Sequence, residues 1–286
     1  MTTRTSMTTL DEQHTEQYTF HHALKDGLEW RTYTPRHRQH ATPILMQHGM
    51  WHNAWCWQLW QELLAEWGWE SHAISLPGHG LSPMQRPVRL CTLGYYLPFI
   101  RRAVDSLPRK PILMGHSMGG ALSQWYLRDV GNLPAMVLVA PWALYQGFWA
   151  SYLAFIKLDL AGMFLSALKF QADFVRTPAI AARALLSPQA VVSPEALYAQ
   201  LCRESVLVML QHALPWPIPP NITTPILWLG AERDAVIPEP AARRSAEGYH
   251  ADYVMVKDAA HNLMMEPTYR EIAQQIDEWL THKVSD

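Results

Sequence analysis

Cysteine is scarce in this chain of 286 residues, and its three cysteines cannot all pair. Cys56, Cys91 and Cys202 lie far apart in the sequence, which disfavours a disulfide framework and predicts reduced thiols in a cytoplasmic protein. The first 17 residues are polar and rich in threonine, without the apolar run of a secretory signal. We therefore expect residues 1–17 to be a flexible N-terminal lead-in.

A surplus of positive charge is also missing. Lysine and arginine number 23 against 25 aspartates and glutamates, so the chain is not predicted to bind nucleic acid. The longest apolar stretch, residues 148–170, contains Lys157, Asp159 and Lys169. Charges inside a bilayer are strongly unfavourable, so no transmembrane segment is predicted.

The sequence lacks the usual signals for a cofactor. There is no G-x-x-x-x-G-K-[ST] phosphate loop, no G-x-G-x-x-G after a strand and no cluster of metal ligands. His48 and His52 stand four residues apart, but His48 ends a strand-like run and no H-E-x-x-H helix surrounds the pair. We therefore expect neither a metal nor any other cofactor.

What the chain does contain is an alternation of strand-like and helix-like segments. Short apolar runs at 43–47, 72–76, 111–114, 135–140, 225–229 and 252–256 are typical of central strands covered on both faces. Two earlier runs, 18–20 and 29–33, flank a hairpin turn at Lys25-Asp26-Gly27. Apolar residues at helical spacing mark helices near 57–67 and 269–280. The pattern predicts an α/β fold with a mostly parallel sheet.

The alternation stops between residues 142 and 220, which are helix-like and rich in alanine, leucine and proline. A helical insertion between two strands lies above the strand ends, where α/β proteins bind ligands. We expect residues 18–141 and 221–286 to form the core and 142–220 a helical cap, with a purely structural subdomain as the alternative.

One motif in this framework predicts a nucleophile. Gly115-His116-Ser117-Met118-Gly119 follows an apolar strand and precedes a helix, the setting in which G-x-S-x-G presents a serine on a sharp turn. The helix N-terminus then favours negative charge at the serine.

A serine nucleophile needs a base and an acid that orients it. Asp234 lies in the loop after the strand at 225–229, and His261 lies in the loop after the last strand. Their order, serine, acid, histidine, is the order found in α/β-hydrolases. Glu232 is the competing acid, which we interpret as a solvated loop charge.

The oxyanion of the reaction needs two backbone N–H donors. Met118, directly after the serine, is one candidate. The second is Met50 in His48-Gly49-Met50-Trp51, since Gly49 allows a sharp inward turn; Trp51 is the neighbouring alternative.

Together these motifs resemble the α/β-hydrolase superfamily over residues 18–283. The resemblance also includes Pro77-Gly78-His79-Gly80. It implies an α/β-hydrolase fold, with a mostly parallel eight-stranded sheet flanked by helices and a helical cap. The serine turn resembles monoacylglycerol lipases and lysophospholipases. The segment Trp51–Trp57 is similar to the oxyanion loop of plant methylesterases and hydroxynitrile lyases.

Departures from the superfamily pattern narrow the chemistry. Dehalogenases and epoxide hydrolases of this fold carry aspartate where Ser117 stands, which excludes both. The similar plant lyases have a lysine shortly after the acid, whereas this chain has Ala235, Val236 and Ile237, which disfavours cyanohydrin cleavage. The superfamily often has aspartate at the position of Ser75, where it supports loop structure.

The expected substrate is a fairly hydrophobic ester of a small molecule or lipid. Apolar residues of the predicted cap would form its pocket: Phe148, Trp149, Tyr152, Phe155, Met163, Phe164, Phe170 and Phe174. Trp51, His116 and Trp142 are further expected substrate contacts. For any single one of these aromatics, packing is the competing role.

The sequence thus predicts a carboxylic ester hydrolase acting through Ser117, His261 and Asp234, as a monomer or homodimer. The same triad would serve an amide, lactone, carbon–carbon or peracid substrate. A non-catalytic ligand sensor on the same fold is a second alternative.

Overall fold

A computed structural model describes residues 6–145, 153, 156–172, 174–212 and 214–284. Within these residues, nine strands form one sheet in the order β1-β2-β3-β5-β4-β6-β7-β8-β9. The strands are β1 (Met7–His14), β2 (Tyr18–Lys25), β3 (Leu28–Pro35), β4 (Ile44–Gln47), β5 (Ser71–Ser75), β6 (Ile112–His116), β7 (Met136–Val139), β8 (Ile226–Ala231) and β9 (Asp252–Val256). From β5 to β9 all neighbouring pairs are parallel, while β1, β2 and β3 pair antiparallel. The mostly parallel sheet expected from the alternation is confirmed.

All eight strands predicted from the apolar runs are present. The hairpin between β2 and β3 turns at Asp26 and Gly27, which both have positive φ (52° and 76°), as a two-residue turn with right-handed strand twist requires. Strands β4 to β8 are buried along their whole length, which explains why their sequences show no alternation of apolar and polar residues.

The N-terminus differs from the prediction. Residues 7–14, expected in a flexible lead-in, instead form β1, so the sheet has nine strands rather than eight in the described chain. Every residue of β1 is exposed, and the strand is held by its backbone pairing to β2. A strand with no buried face has no hydrophobic alternation, so the periodicity that identifies strands was absent.

Helices cover both faces of the sheet. Those outside the segment between β7 and β8 are α1 (Gln58–Glu66), α2 (Leu93–Asp105), α3 (Met118–Asp129), α8 (Glu239–Gly248) and α9 (Tyr269–Lys283). The predicted apolar faces are buried. Trp60 of α1 and Leu280 of α9 are fully inaccessible, and Trp60 Nε1 donates to the Tyr269 carbonyl oxygen (2.9 Å), which ties α1 to α9.

Between β7 and β8 the chain forms α4 (Leu160–Lys169), α5 (Pro178–Leu185), α6 (Pro194–Gln200) and α7 (Val206–His212). This is the helical segment predicted as a cap. Thr177 and Ser193 cap α5 and α6 by accepting backbone N–H groups of Ile180 and Ala196, and proline follows each cap. In the described residues, no helix combines the length and apolarity needed to cross a bilayer.

Candidate active site

The turn from β6 into α3 places Ser117 in a strained backbone conformation. Its φ is +52° and its ψ is −117°, a backbone region that residues other than glycine rarely occupy. Neighbouring segments hold it there: the Ser117 N–H donates to the Val139 carbonyl oxygen (3.0 Å), and the Ser117 carbonyl accepts from the Trp142 N–H (3.2 Å). The strand–turn–helix geometry is the one expected for a G-x-S-x-G motif, and we call this turn the elbow.

Two glycines, Gly119 of the motif and Gly49 after β4, allow the elbow and the end of β4 to touch. A Cβ atom added at Gly119 would lie 2.3 Å from the carbonyl oxygen of Gln47, the last residue of β4. A Cβ atom at Gly49 would lie 2.9 Å from the Ser117 Cβ atom. The loop after β4 therefore passes directly against the elbow, so closely that only glycine fits at the contact.

Asp234 and His261 form a hydrogen-bonded pair at the ends of β8 and β9. His261 Nδ1 donates to Asp234 Oδ2 over 2.7 Å, and both side chains are 2% exposed. The other carboxylate oxygen, Oδ1, accepts the N–H groups of Val236 (2.7 Å) and Ile237 (2.9 Å). The carboxylate is fixed by three hydrogen bonds, and with the proton on Nδ1 the other ring nitrogen of His261 is left as a proton acceptor.

His261 is positioned next to the elbow through His116. His116 Nε2 donates to the His261 carbonyl oxygen (3.2 Å), and the two rings lie 4.8 Å apart between centroids. The described residues offer Ser117 Oγ no hydrogen bond, so the serine–histidine contact is not formed in this state. Such contacts commonly shorten only when substrate binds.

The Gly49–Met50 peptide is oriented by two histidines. His48 Nδ1 and the His52 N–H both donate to the Gly49 carbonyl oxygen (2.8 and 3.3 Å). In a trans peptide the N–H points opposite to the carbonyl, so the Met50 N–H is directed away from His48. With Gly49 against Ser117, this geometry fits Met50 as an oxyanion donor. The Met118 N–H, in the first turn of α3, has no acceptor within that helix.

Two side chains that the sequence did not indicate, His52 and Asn262, join the loop after β4 to the loop after β9. His52 Nδ1 donates to the Met50 carbonyl oxygen (2.7 Å), and His52 Nε2 accepts from Asn262 Nδ2 (3.0 Å). Asn262 directly follows His261 in the chain but lies 210 positions from His52. No local pattern signals this contact, because it exists only once the loops after β4 and β9 have met.

Burial keeps this histidine group neutral. It lowers the pKa of His48 and His116 well below the ordinary value, and that of His52 to about 4. The ring nitrogens of His48 and His52 are all engaged, His48 Nε2 accepting from the Leu76 N–H (3.0 Å). These rings act as neutral supports of the loop, and their nitrogens are committed to the protein.

The expected substrate contacts are placed differently from one another. His116 is completely buried against His261 and His52, so it supports the base rather than lining a substrate pocket as predicted. Trp51 is 4% exposed and donates from Nε1 to the Ala172 carbonyl oxygen (2.7 Å), and Trp142 stacks on His212 with a centroid distance of 4.2 Å.

The residues predicted to line the cap pocket also differ in where they lie. Phe148, Trp149, Tyr152 and Phe155 lie outside the described residues. Phe164 and Phe170 are 72% and 57% exposed, and the face of α4 that carries Phe164 points to solvent. Their place in a substrate pocket stays a prediction. Phe174 is buried, and Met163 is partly buried.

Part of the helical insertion is fastened to the catalytic loops. The Asn262 N–H donates to the Leu185 carbonyl oxygen, and the Val191 N–H to that of Met265, each over 2.9 Å. Further along, the Cys202 N–H donates to the Trp51 carbonyl oxygen over 2.6 Å. Residues 185–202 are therefore joined by backbone hydrogen bonds both to the segment after β9 and to the loop after β4.

A buried ionisable pair completes this attachment. His79 Nε2 and Glu204 Oε2 lie 3.1 Å apart with both side chains inaccessible. Glu204 Oε1 also accepts from the Tyr96 hydroxyl (3.1 Å) and from the Ser205 N–H (2.7 Å). The Pro77-Gly78-His79-Gly80 motif thus anchors the end of the insertion.

Relatives in sequence match only part of the chain. The pFDCC methylesterase MES16 of Arabidopsis thaliana is 36% identical over 84 residues, which cover 28% of this chain and 32% of the relative. A serine hydrolase-like protein of Danio rerio is 35% identical over 82 residues, 28% of this chain and 25% of the relative. The chain thus aligns with about a third or less of the length of these curated relatives.

Solved structures match nearly the whole fold. A monoacylglycerol lipase from Paleococcus ferrophilus superimposes with a TM-score of 0.64 at 20% identity, covering 90% of this chain and 99% of that one. A thermophilic esterase from Thermogutta terrifontis has a TM-score of 0.64 at 18% identity and covers 98% of this chain and 100% of that one. The family model described as "Alpha/beta hydrolase family" matches residues 44–275, which span most of the chain. The chain belongs to the alpha/beta hydrolase family.

Proposed function

We propose that this protein is a serine hydrolase that cleaves carboxylic esters of fairly hydrophobic small molecules or lipids. The observation that carries the proposal is the Asp234–His261 pair, hydrogen-bonded over 2.7 Å and packed through His116 against the strained elbow of Ser117. Three roles needed for acyl transfer, nucleophile, base and orienting carboxylate, then fall to residues at the ends of β6, β9 and β8.

In the proposed mechanism, Ser117 Oγ attacks the ester carbonyl carbon while His261 Nε2 takes the hydroxyl proton. Asp234 keeps the imidazole in the required tautomer and stabilises the imidazolium that forms. The N–H groups of Met50 and Met118 donate to the tetrahedral oxyanion. His261 returns the proton to the leaving alcohol, and a water molecule activated by the same histidine releases the acid from the acyl-enzyme.

The substrate class is proposed from the relatives and from the insertion between β7 and β8. The proteins that this chain resembles include, by name, two methylesterases and a monoacylglycerol lipase. The insertion between β7 and β8, fastened to both catalytic loops, is proposed to cover the site as a cap. A chain-length series of p-nitrophenyl esters will assign acyl preference; equal rates from acetate to long chains would argue against a dedicated apolar pocket.

A labelling experiment tests the proposal as a whole. The wild-type protein should react with a fluorophosphonate probe, and peptide mapping should find the adduct on Ser117. Ser117→Ala should abolish labelling and lower ester turnover by about 10⁴-fold or more. Ser123→Ala is the matched control, since Ser123 lies on the same helix with its hydroxyl bonded to the Gly119 carbonyl (2.9 Å), and it should retain labelling. Unlabelled but folded wild-type protein would instead favour a ligand sensor.

A further inference from the structure

The end of the insertion has an inner and an outer side. Residues 201–205, which we call the strap, pair with residue 171 through a β-bridge at Ser205. The Cys202 Sγ atom accepts from the Gly80 N–H (3.2 Å) and the Glu204 side chain is buried against His79, whereas Arg203 between them is exposed. This alternation is that of an extended segment, so the outer side of the strap presents the Arg203 side chain to solvent.

A cavity of about 680 Å³ opens on this outer side. Its volume lies within the range of small-molecule sites in proteins. Eight residues line it: Arg89, Leu90, Leu168, Lys169, Phe170, Gln171, Arg203 and Leu207. The catalytic residues are not among them, so the cavity is separate from the candidate active site.

The charged groups of the lining are all positive. Arg89, Lys169 and Arg203 contribute three cations, and the described lining residues include no aspartate or glutamate. Arg89 and Arg203 form no ion pair in the described part of the chain, although the protein as a whole carries a formal charge of −2. Two unpaired guanidinium groups on one cavity favour an anionic group such as a carboxylate or phosphate.

Apart from Gln171, the other described lining residues are apolar, and three of them are highly exposed. Leu90, Leu168 and Phe170 are 50%, 71% and 57% exposed. Leu160 and Phe164 precede Leu168 at four-residue steps and are also exposed, so an apolar stripe runs along α4 from the cavity. Exposed apolar side chains grouped at one place commonly mark a binding surface.

We propose that this cavity binds a monomeric single-chain anionic amphiphile, of which a fatty carboxylate is the simplest case. The anionic head lies between Arg89 and Arg203, and the alkyl chain covers Leu168 and Phe170. The site is independent of the proposed ester hydrolysis, since it shares no residue with the catalytic groups. Its link to them is the strap, because Arg203 stands between Cys202, which holds the oxyanion loop, and Glu204.

Titration calorimetry with dodecanoate, kept below its micelle concentration, tests the proposal on the full chain. The wild-type protein should show one saturable site. Arg89→Gln combined with Arg203→Gln should weaken binding at least about tenfold, through loss of the charged hydrogen bonds. The matched control is Arg109→Gln with Arg270→Gln, which removes the same charge from exposed positions elsewhere and should bind as the wild type.

Two further ligands separate the contributions of head and chain. Dodecanol lacks the charge and acetate lacks the chain, so both should bind at least about tenfold more weakly than dodecanoate. Unchanged dodecanoate affinity in the Arg89/Arg203 variant, or equal affinity for dodecanol, would overturn the proposal. Sedimentation with phosphatidylglycerol vesicles without binding of monomeric dodecanoate would overturn it as well, since it would point to a membrane-docking surface. Circular dichroism of both double variants verifies that they fold.

Discussion

Ser117 has a backbone conformation that serine adopts only under constraint. Left-handed backbone at a residue other than glycine costs on the order of 1–3 kcal/mol, so its persistence requires surrounding contacts that impose it. Those contacts are the hydrogen bonds to Val139 and Trp142 and the close approach of Gly49. The strained turn places the serine side chain beyond the end of β6, at the same edge of the sheet as the Asp234–His261 pair.

Replacing Asp234 with asparagine removes the charge of the side chain and keeps its shape. Asp234→Asn should preserve the fold but lower kcat by about 10⁴-fold, because the amide places the wrong hydrogen-bonding partner on His261 Nδ1. Steady-state kinetics on a p-nitrophenyl ester measures the loss, with thermal unfolding as the check on folding.

Glu232→Gln is the control for that substitution. Glu232 lies in the same loop, is exposed, and accepts the Asp258 N–H (2.9 Å), which an amide oxygen also accepts. Its kcat should stay within about threefold of the wild type. A large loss in Glu232→Gln with little loss in Asp234→Asn would reverse the assignment of the acid.

At the scale of elements, the site depends on how closely the ends of neighbouring strands approach. The loop after β4 contacts the elbow after β6 only because glycine occupies both contact points. Gly119→Ala would place a methyl group 2.3 Å from the Gln47 carbonyl oxygen, so the helix or the strand must move. We expect a decrease of about 1–3 kcal/mol in the free energy of unfolding, together with a loss of activity.

The matched substitution lies at Gly94, in α2. A Cβ atom there would meet only Thr92 Oγ1, at 3.9 Å. Alanine favours helix over glycine by about 1 kcal/mol, so Gly94→Ala should leave stability unchanged or raise it. Chemical denaturation of both variants makes the comparison; equal stability of Gly119→Ala and wild type would mean that the close contact is not needed.

The strand–turn–helix elements and the three catalytic candidates were predictable because each depends on local sequence. G-x-S-x-G after an apolar strand, and loops following strands at Asp234 and His261, are signals carried by a few adjacent residues. Contacts between distant segments were not predictable in this way. His52 with Asn262, and His79 with Glu204, are 210 and 125 positions apart and appear only in the assembled fold. The exposed strand β1 was missed because it buries no face.

At the scale of the whole molecule, buried neutral histidines make stability depend on pH. Burial lowers the pKa of His52 to about 4 and that of His72 and His212 to about 3, and depresses those of His48 and His116 well below 6.5. In the unfolded chain these residues titrate near 6.5. The unfolded state therefore binds more protons below that pH, and stability decreases as the pH falls.

The expected size of this effect is measurable. At pH 5.5 each such histidine lowers the free energy of unfolding by about 1.4 kcal/mol relative to neutral pH, and for His52 the decrease ends near pH 4. Thermal or urea unfolding between pH 7.5 and 5 records it. His212→Phe removes one of these groups and should give a shallower pH dependence. Stability that is constant across this range would contradict the neutral, buried state of the histidines.

The central claim of the proposed mechanism is that Ser117, His261 and Asp234 act as a single unit. The effects on kcat of substituting residues that act together are strongly non-additive, because removing one of them already abolishes the contribution of the others. The most direct measurement is kcat for ester hydrolysis by the single variants Ser117→Ala, His261→Ala and Asp234→Ala and by the triple variant Ser117→Ala/His261→Ala/Asp234→Ala. We predict that the triple variant retains about the same residual rate as Ser117→Ala alone. A triple loss equal to the product of the separate losses would show that the three residues act independently, and would contradict the proposed mechanism.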